Sequence, residues 1–365
     1  MTSTPPPSDP PEMVGPRAPA PPPASGTPLP LGYAAIIAVL LIVAAIGGGL
    51  AIGTIARPTP TPRPTPTVAV PTPTPVPTTD PRVFRQSLTS GCVTEQGLWV
   101  VTDGGGLLRY DGKDWTQVDG TLRTLTQASC DTGTMYAVGP VGAVLILDDR
   151  ARSINSFDVT LADLRGIAAM QVGAMAVGTE GTVMFLSGGS WQVYARGIEE
   201  DLNAIVAFGP ESAWVVGSEG ASYRLEAAGW RPVSTGVTVA LRAVSATGPQ
   251  SAVAAGDGGT LLVFDGAWRP VESGVTTSLR AIAPLGSALW IVGDGGVVLS
   301  VEGLAASSGI PAKPTAVTRV DIGTTCALKS VFVNGPDVWV VGSTGGRGAV
   351  WRVRGDKVAE RWGEC

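Results

Sequence analysis

Apolar and polar positions follow two different rules along this chain. After about residue 83, short apolar runs of four or five residues alternate with glycine-bearing polar turns. That spacing predicts many short strands, not helices. One phrase recurs: apolar residues, Val-Gly, two variable residues, then Gly. It reads LWVVTDGG (98–105), MYAVGPVG (135–142), AMAVGTEG (174–181), AWVVGSEG (213–220), AVAAGDGG (252–259), LWIVGDGG (289–296) and VWVVGSTGG (338–346). Taken at the Val-Gly glycine, or Thr102 in the first copy, the intervals are 37, 39, 39, 39, 37 and 49 residues. The longest holds an insertion at 304–316. A leucine precedes each of these positions by 14 or 15 residues: Leu88, Leu125, Leu164, Leu202, Leu241, Leu279 and Leu328. In several copies a Trp follows a Gly-containing turn: Trp115, Trp191, Trp230 and Trp268.

Each repeat therefore predicts four antiparallel strands. The first opens at the leucine, the second is Trp-Val-Val-Gly, the third follows the Gly-x-x-Gly turn, and the fourth starts at the Trp. The turn glycines are expected to supply positive φ. A lone four-stranded sheet leaves apolar surface exposed, and radial packing of seven such sheets covers it. The expectation is an all-β, seven-bladed β-propeller over 83–365. A β-solenoid and paired sandwiches are the alternatives, and a regular period near 39 residues fits both less well.

Before residue 83 the pattern changes. Residues 1–82 hold 22 of the 31 prolines and none of the ten tryptophans. Residues 1–30 are Pro/Ala-rich without apolar periodicity and read as a disordered tail. Residues 31–56 carry no charge and, as a helix, reach roughly 39 Å against a ~30 Å hydrocarbon core. They read as a single transmembrane helix; the run is too long, and its leader too little basic, for a cleaved signal. Gly49 and Gly53 form a GxxxG pair that offers weak dimerisation. Residues 57–82 alternate Pro and Thr and read as an extended linker.

Topology evidence points both ways. Arg57 and Arg63 follow the apolar run and only Arg17 precedes it, which favours a cytoplasmic C-terminal part. The Pro/Thr linker and four cysteines confined to the C-terminal domain favour the reverse. The expectation is a propeller outside the cytoplasm with the N-terminal tail inside.

Composition then removes several chemistries. The chain has no histidine, which excludes every imidazole-based triad, base and zinc site. A net charge of −5 argues against nucleic acid. Cys92, Cys130, Cys326 and Cys365 lack CxxC spacing; pairs 92–130 and 326–365 are expected, against the alternative of four free thiols in a reducing compartment.

The repeat phrases resemble the Asp-box and Ycf48-like propeller superfamily. Ala213–Gly220 and Leu289–Gly296 match its Trp-x-Val-Gly-x-x-Gly phrase, and YDGKDW (110–115) and FDGAW (264–268) are worn Asp-boxes. The resemblance covers nearly all of 83–365. It implies the propeller fold, and kin that include photosystem II assembly factors, sialidases and bacterial surface proteins.

Candidate chemistry lies one residue after each leucine: Thr89, Thr126, Arg165, Asn203, Arg242, Arg280 and Lys329. If the first strand is innermost, these seven form one level of the central channel. Arg165, Asn203, Arg242, Arg280 and Lys329 are the candidate partner-binding set, for a protein or glycan. The plainer reading is that each arginine bridges blades or bonds an acidic turn. A sialidase-like arginine triad of Arg165, Arg242 and Arg280 lacks a visible Tyr–Glu pair. Turn acids Asp103, Glu180, Glu219, Asp257 and Asp294 sit on separate blades, so they read as solvated and not as a calcium site. No catalytic residue, metal or cofactor is assigned. The expected function is a binding scaffold or assembly platform. The alternatives are a carboxylate-dependent glycosidase or lyase, and a purely structural envelope component.

Overall fold

The computed structural model describes residues 68–69, 84–118, 121–194, 197–303 and 316–365. The tail, the apolar segment with Gly49 and Gly53, and the linker apart from Val68–Ala69 lie outside these residues. Seven sheets follow one another along the chain, and each takes four consecutive strands in antiparallel order. The fold is the all-β, seven-bladed propeller that the repeat predicts. We number the blades 1 to 7.

The seven inner strands are Leu88–Thr94, Gln127–Cys130, Leu164–Met170, Leu202–Gly209, Leu241–Gly248, Leu279–Leu285 and Ala327–Asn334. Each packs on the next around the ring, and the seventh packs on the first. Blade 2 also pairs Val68–Ala69 with Ile154 and Ser153 on its outer strand. The long last repeat interval falls in blade 6, between its third strand, Val298–Glu302, and its fourth, Ala316–Arg319.

The continuous apolar run of each second strand has a simple cause. Successive side chains of a strand point to opposite faces, and in a propeller both faces meet another blade. Along Leu98-Trp99-Val100-Val101, Trp99 and Val101 join the core shared with blade 2, while Leu98 and Val100 join the core shared with blade 7. Along Ala213-Trp214-Val215-Val216, Trp214 and Val216 pack on blade 5 and the other two on blade 3. Seven such cores exist, one per blade interface.

Among the described residues, ring closure between blades 1 and 7 uses no exchanged strand. Phe84 bridges to Gly348, Ser343 Oγ donates to the Leu88 carbonyl at 3.1 Å, and the Ser90 and Ser330 hydroxyls meet at 3.4 Å. Around them Phe84, Tyr110, Trp115, Trp339 and Trp362 form one aromatic cluster, with Trp339 and Trp362 stacked at 5.4 Å. Two disulfides reinforce the ends of the ring. Cys92–Cys130 joins the inner strands of blades 1 and 2, and Cys326–Cys365 fastens the C-terminus to the approach of blade 7's inner strand.

The Gly-x-x-Gly turns differ from expectation at one glycine. The second has positive φ, as in Gly259 at 72°. The first is extended: Gly217 and Gly256 have φ of −154° and −162°. Its constraint is space. A Cβ on Gly217 would lie 2.1 Å from the Asp201 carbonyl oxygen, on the chain that enters the same blade's inner strand. Between these glycines the chain turns left-handed at Glu180, Glu219, Gly258 and Gly295, and in blade 2 this position is Val141, at φ 54°.

A β-branched residue in that region is strained, and the Val141 side chain is 53% exposed, so little packing opposes its removal. Val141→Gly is expected to stabilise the folded domain by about 1 kcal/mol, the relief of strain exceeding the added chain entropy. Calorimetric melting of the two proteins checks this, with a rise of about 2–3 °C expected.

Candidate functional site

In six of the seven blades the residue after the leucine is a β-bulge. In blade 5, Leu241 pairs with Gly256 and Ala243 with Ala255, so Arg242 has no partner on the second strand. The same shift occurs at Thr89, Arg165, Asn203, Arg280 and Lys329. In blade 2, Thr126 donates its N–H to the Val138 carbonyl that Gln127 faces. A bulge re-aims one side chain away from the pleat, and here it repeats at one register around the channel. Deeper in, a cavity of about 100 Å³ is lined by Gln127, Asn203, Arg242, Arg280 and Ser330 among others.

The bulge side chains divide by partner. Thr89 Oγ1 donates to the Leu125 carbonyl at 2.9 Å, Thr126 Oγ1 to that of Leu164 at 3.3 Å, and Asn203 Nδ2 to that of Leu241 at 2.9 Å. Each bond crosses to the leucine of the next blade, so this subset ties the ring together. Arg165 reaches Asp201 and Asn203, both at 3.1 Å and both from blade 4.

Arg242 and Arg280 bind turn acids of their own blades. Arg280 holds Asp294 through Nε at 2.6 Å and Nη2 at 2.7 Å. Arg242 grips Asp257 in the same two-pronged way, with Nη2 at 2.7 Å from Oδ2. The Arg242 guanidinium is the main cause that lowers the Asp257 carboxyl, helped by the Ser278 hydroxyl. Asp257 in turn raises Arg242. Asp257 and Asp294 are thus ion-pair partners and not the solvated turn residues expected from sequence. In both pairs the guanidinium uses one edge and leaves Nη1 without an intramolecular bond among the described residues.

Lys329 differs. It is partly buried and forms no ion pair among the described residues. Burial lowers its pKa first, and the nearby positive charges of Arg280 and Arg242 lower it further, against the pull of Asp294. Blades 5 to 7 therefore bring three of the predicted cations together, while Arg165 and Asn203 form a separate pair on blades 3 and 4.

One polar pair escaped the sequence reading. Tyr223 donates to Glu200 Oε2 at 2.7 Å, which lowers Glu200. Burial and Glu200 push the Tyr223 hydroxyl up to about 12, so it stays protonated and serves as a donor, not a nucleophile. The two residues are 23 apart and belong to no repeat phrase, so no spacing signal marks them. The repeat tryptophans pack between blades: Trp115 in the blade 1–7 core, and Trp268 in the blade 4–5 core with its indole N–H on Ser222 Oγ at 3.1 Å.

No protein-family model and no curated protein matches the chain. Many solved structures share its fold. The RRP9 WD40 repeats superpose with a TM-score of 0.60 at 11% identity, covering 72% of this chain and 90% of that one. U3-55K gives 0.60 at 12% identity, with 76% and 96% covered. YCF48 bound to D1 peptide gives 0.50 at 17% identity, with 65% and 80% covered. At these identities the likeness is one of fold.

The Arg242–Asp257 pair makes a pH-dependent contribution of known sign. A carboxyl lowered in the folded state contributes stability above its unfolded pKa, near 3.9, and loses it as pH falls through the folded value. Asp257→Asn is expected to lower the melting temperature at pH 7, with the gap to the parent protein closing below about pH 4. Melting curves across pH 2 to 7 check this.

Proposed function

We propose that the protein is a membrane-anchored scaffold that presents its propeller outside the cytoplasm and binds a protein or glycan partner at the channel mouth. Arg165, Asn203, Arg242, Arg280 and Lys329 form the contact set. One observation carries this reading: Arg242, Arg280 and Lys329 stand on three successive blades with two carboxylates between them, which leaves one positive charge uncompensated. The Arg–Asp forks hold two guanidiniums in fixed orientations, so a partner meets donors that need no further ordering. An acidic protein segment or an acidic sugar fits that field.

Binding is favoured over catalysis by the state of the carboxylates. Asp257 and Asp294 face arginines in two-pronged pairs, and Asp257 is lowered. General-acid work needs a raised carboxyl. The YCF48 structure with a bound D1 peptide, together with the repeat phrases, supports kinship with Ycf48-like propellers and a peptide-like partner. The paired cysteines and the Pro/Thr linker support an oxidising location, and the uncharged run 31–56 supports the anchor.

Two measurements test the two halves of this reading. A photo-cross-linking residue in place of Glu219, on a turn between second and third strands at the mouth, is expected to yield a discrete adduct in the producing cells. The same residue at Lys357, on a turn between third and fourth strands and so on the opposite face, is expected to yield none. Equal adducts, or none, would remove the mouth as the binding face. For location, the chain taken from cells under alkylating quench is expected to give the Cys92–Cys130 and Cys326–Cys365 linked peptides by mass spectrometry. Four alkylated thiols would place the domain in a reducing compartment.

A further inference from the structure

Blades 5, 6 and 7 carry the same device with one part missing. In blade 5, Leu241 pairs with Gly256, and the next residue, Asp257, meets the bulged Arg242. In blade 6, Leu279 pairs with Gly293, and the next residue, Asp294, meets the bulged Arg280. In blade 7, Leu328 pairs with Gly342 and the bulged residue is Lys329, but the second strand runs on to Thr344. The next residue, Ser343, is therefore a strand residue paired with Ala327 and Gly348 and not a turn acid. The serine is buried and spends its hydroxyl on the Leu88 carbonyl across the ring closure. A cation therefore stands at the blade 7 register without the carboxylate that its neighbours receive.

Asp294 of blade 6 pulls on Lys329, but both its oxygens are held by Arg280, and Lys329 forms no ion pair of its own among the described residues. Asp103, the turn acid of adjacent blade 1, is exposed and forms no ion pair with Lys329 among the described residues. A partly buried ammonium beside two guanidiniums is unfavourable unless an anion joins it, because like charges in a poorly hydrated site repel and lack solvent compensation. A polar cavity lined by Arg280, Arg242 and Ser330, the residue after Lys329, adjoins this register, though Lys329 itself is not on its wall, and it offers further donors.

We infer that the blade 7 register is a carboxylate seat: Lys329, beside Arg280, binds a carboxylate supplied from outside in the place that Asp257 and Asp294 fill in blades 5 and 6. This deepens the reading of the mouth as a binding face and rests on it. The carboxylate belongs either to an acidic side chain of a protein partner or to a free small acid. Both present the same planar anion, and lysine takes it as a point charge with up to three donors.

The test uses the full chain in detergent micelles with two probes. The first is sodium glutarate, titrated against sodium chloride at matched ionic strength and read by melting temperature. The second is an N-terminally labelled, C-terminally amidated pentaglutamate peptide, read by fluorescence anisotropy. Two variants carry the argument. Lys329→Thr places at this register the residue that Thr89 and Thr126 represent in blades 1 and 2. Ser343→Asp supplies the missing carboxylate within the chain.

The parent protein is expected to gain about 3 °C at ten times the dissociation constant of glutarate. Both variants are expected to lose that gain, and to weaken the peptide at least tenfold. If Ser343→Asp misfolds through loss of its bond to Leu88, Lys329→Thr decides alone. Tighter binding of the peptide assigns the seat to a protein side chain, and tighter binding of glutarate to a free acid. A gain of equal size in all three proteins, or no gain and no peptide binding in the parent, overturns the seat. Peptide that binds the parent and Lys329→Thr equally also overturns it, yet leaves the mouth standing as a binding face.

Discussion

Everything in this molecule depends on the need of each four-stranded blade to have both faces covered. The second strands show the constraint most directly. Trp-Val-Val runs cannot face water on either side, because alternate residues enter two different cores. A blade is therefore unstable by itself, and its neighbours are unstable without it. The ring removes the problem only when the last blade reaches the first. That seam is sealed by side chains, with Phe84, Trp115, Trp339 and Trp362 clustered where, among the described residues, no strand is exchanged. The disulfides lie at the two ends of the same weak point: one binds blade 1 to blade 2, the other binds the chain terminus to the entry of blade 7.

The bulges follow from the same geometry. Inner strands converge on the axis, where seven flat strands would crowd, and in six blades an unpaired residue after the leucine turns one side chain into the channel. Thr89, Thr126 and Asn203 use this position to bond the leucine carbonyl of the next blade. Ser343 performs the equivalent bond across the closure from a different strand. The channel level is thus first a seam of inter-blade bonds, which Arg165 joins through Asp201 and Asn203, and Arg242, Arg280 and Lys329 are the exceptions.

The repeat made the architecture readable before any coordinates. Seven leucines, seven Val-Gly phrases and their spacing specify strand order, turn position and blade number, because every repeat solves the same packing problem. The level of Arg165, Asn203, Arg242, Arg280 and Lys329 was legible for the same reason. Their partners were not. Asp257 looks like Glu219 in sequence, a turn acid after a second strand, yet Asp257 is the first turn residue and lies over the bulge, whereas Glu219 is the second and turns left-handed away from it. The offset and an arginine at the bulge together decide between ion pair and solvated tip. Asp103 is also a first turn residue, but its blade carries Thr89 at the bulge and Asp103 is exposed. The first turn glycine was misread for a similar reason: its identity records a carbonyl 2.1 Å from an absent Cβ, which is a contact between segments far apart in the turn logic. Tyr223 and Glu200 left no trace, since neither belongs to a repeated phrase.

A repeat protein separates structural from particular roles by its own symmetry. What recurs in every blade answers the demand that every blade shares; what breaks the recurrence answers something else. Arg242–Asp257 and Arg280–Asp294 share one geometry in two adjacent blades, with each cation neutralised within its blade. Blade 7 keeps the cation and drops the acid, and it does so beside the closure, where Ser343 is already committed to Leu88. In blade 7 the second strand runs on through Ser343 to Thr344, so no turn acid follows Gly342 and Lys329 is left without one. The point where the fold is completed is therefore also the point where one cation of the channel level stands without a carboxylate of its own.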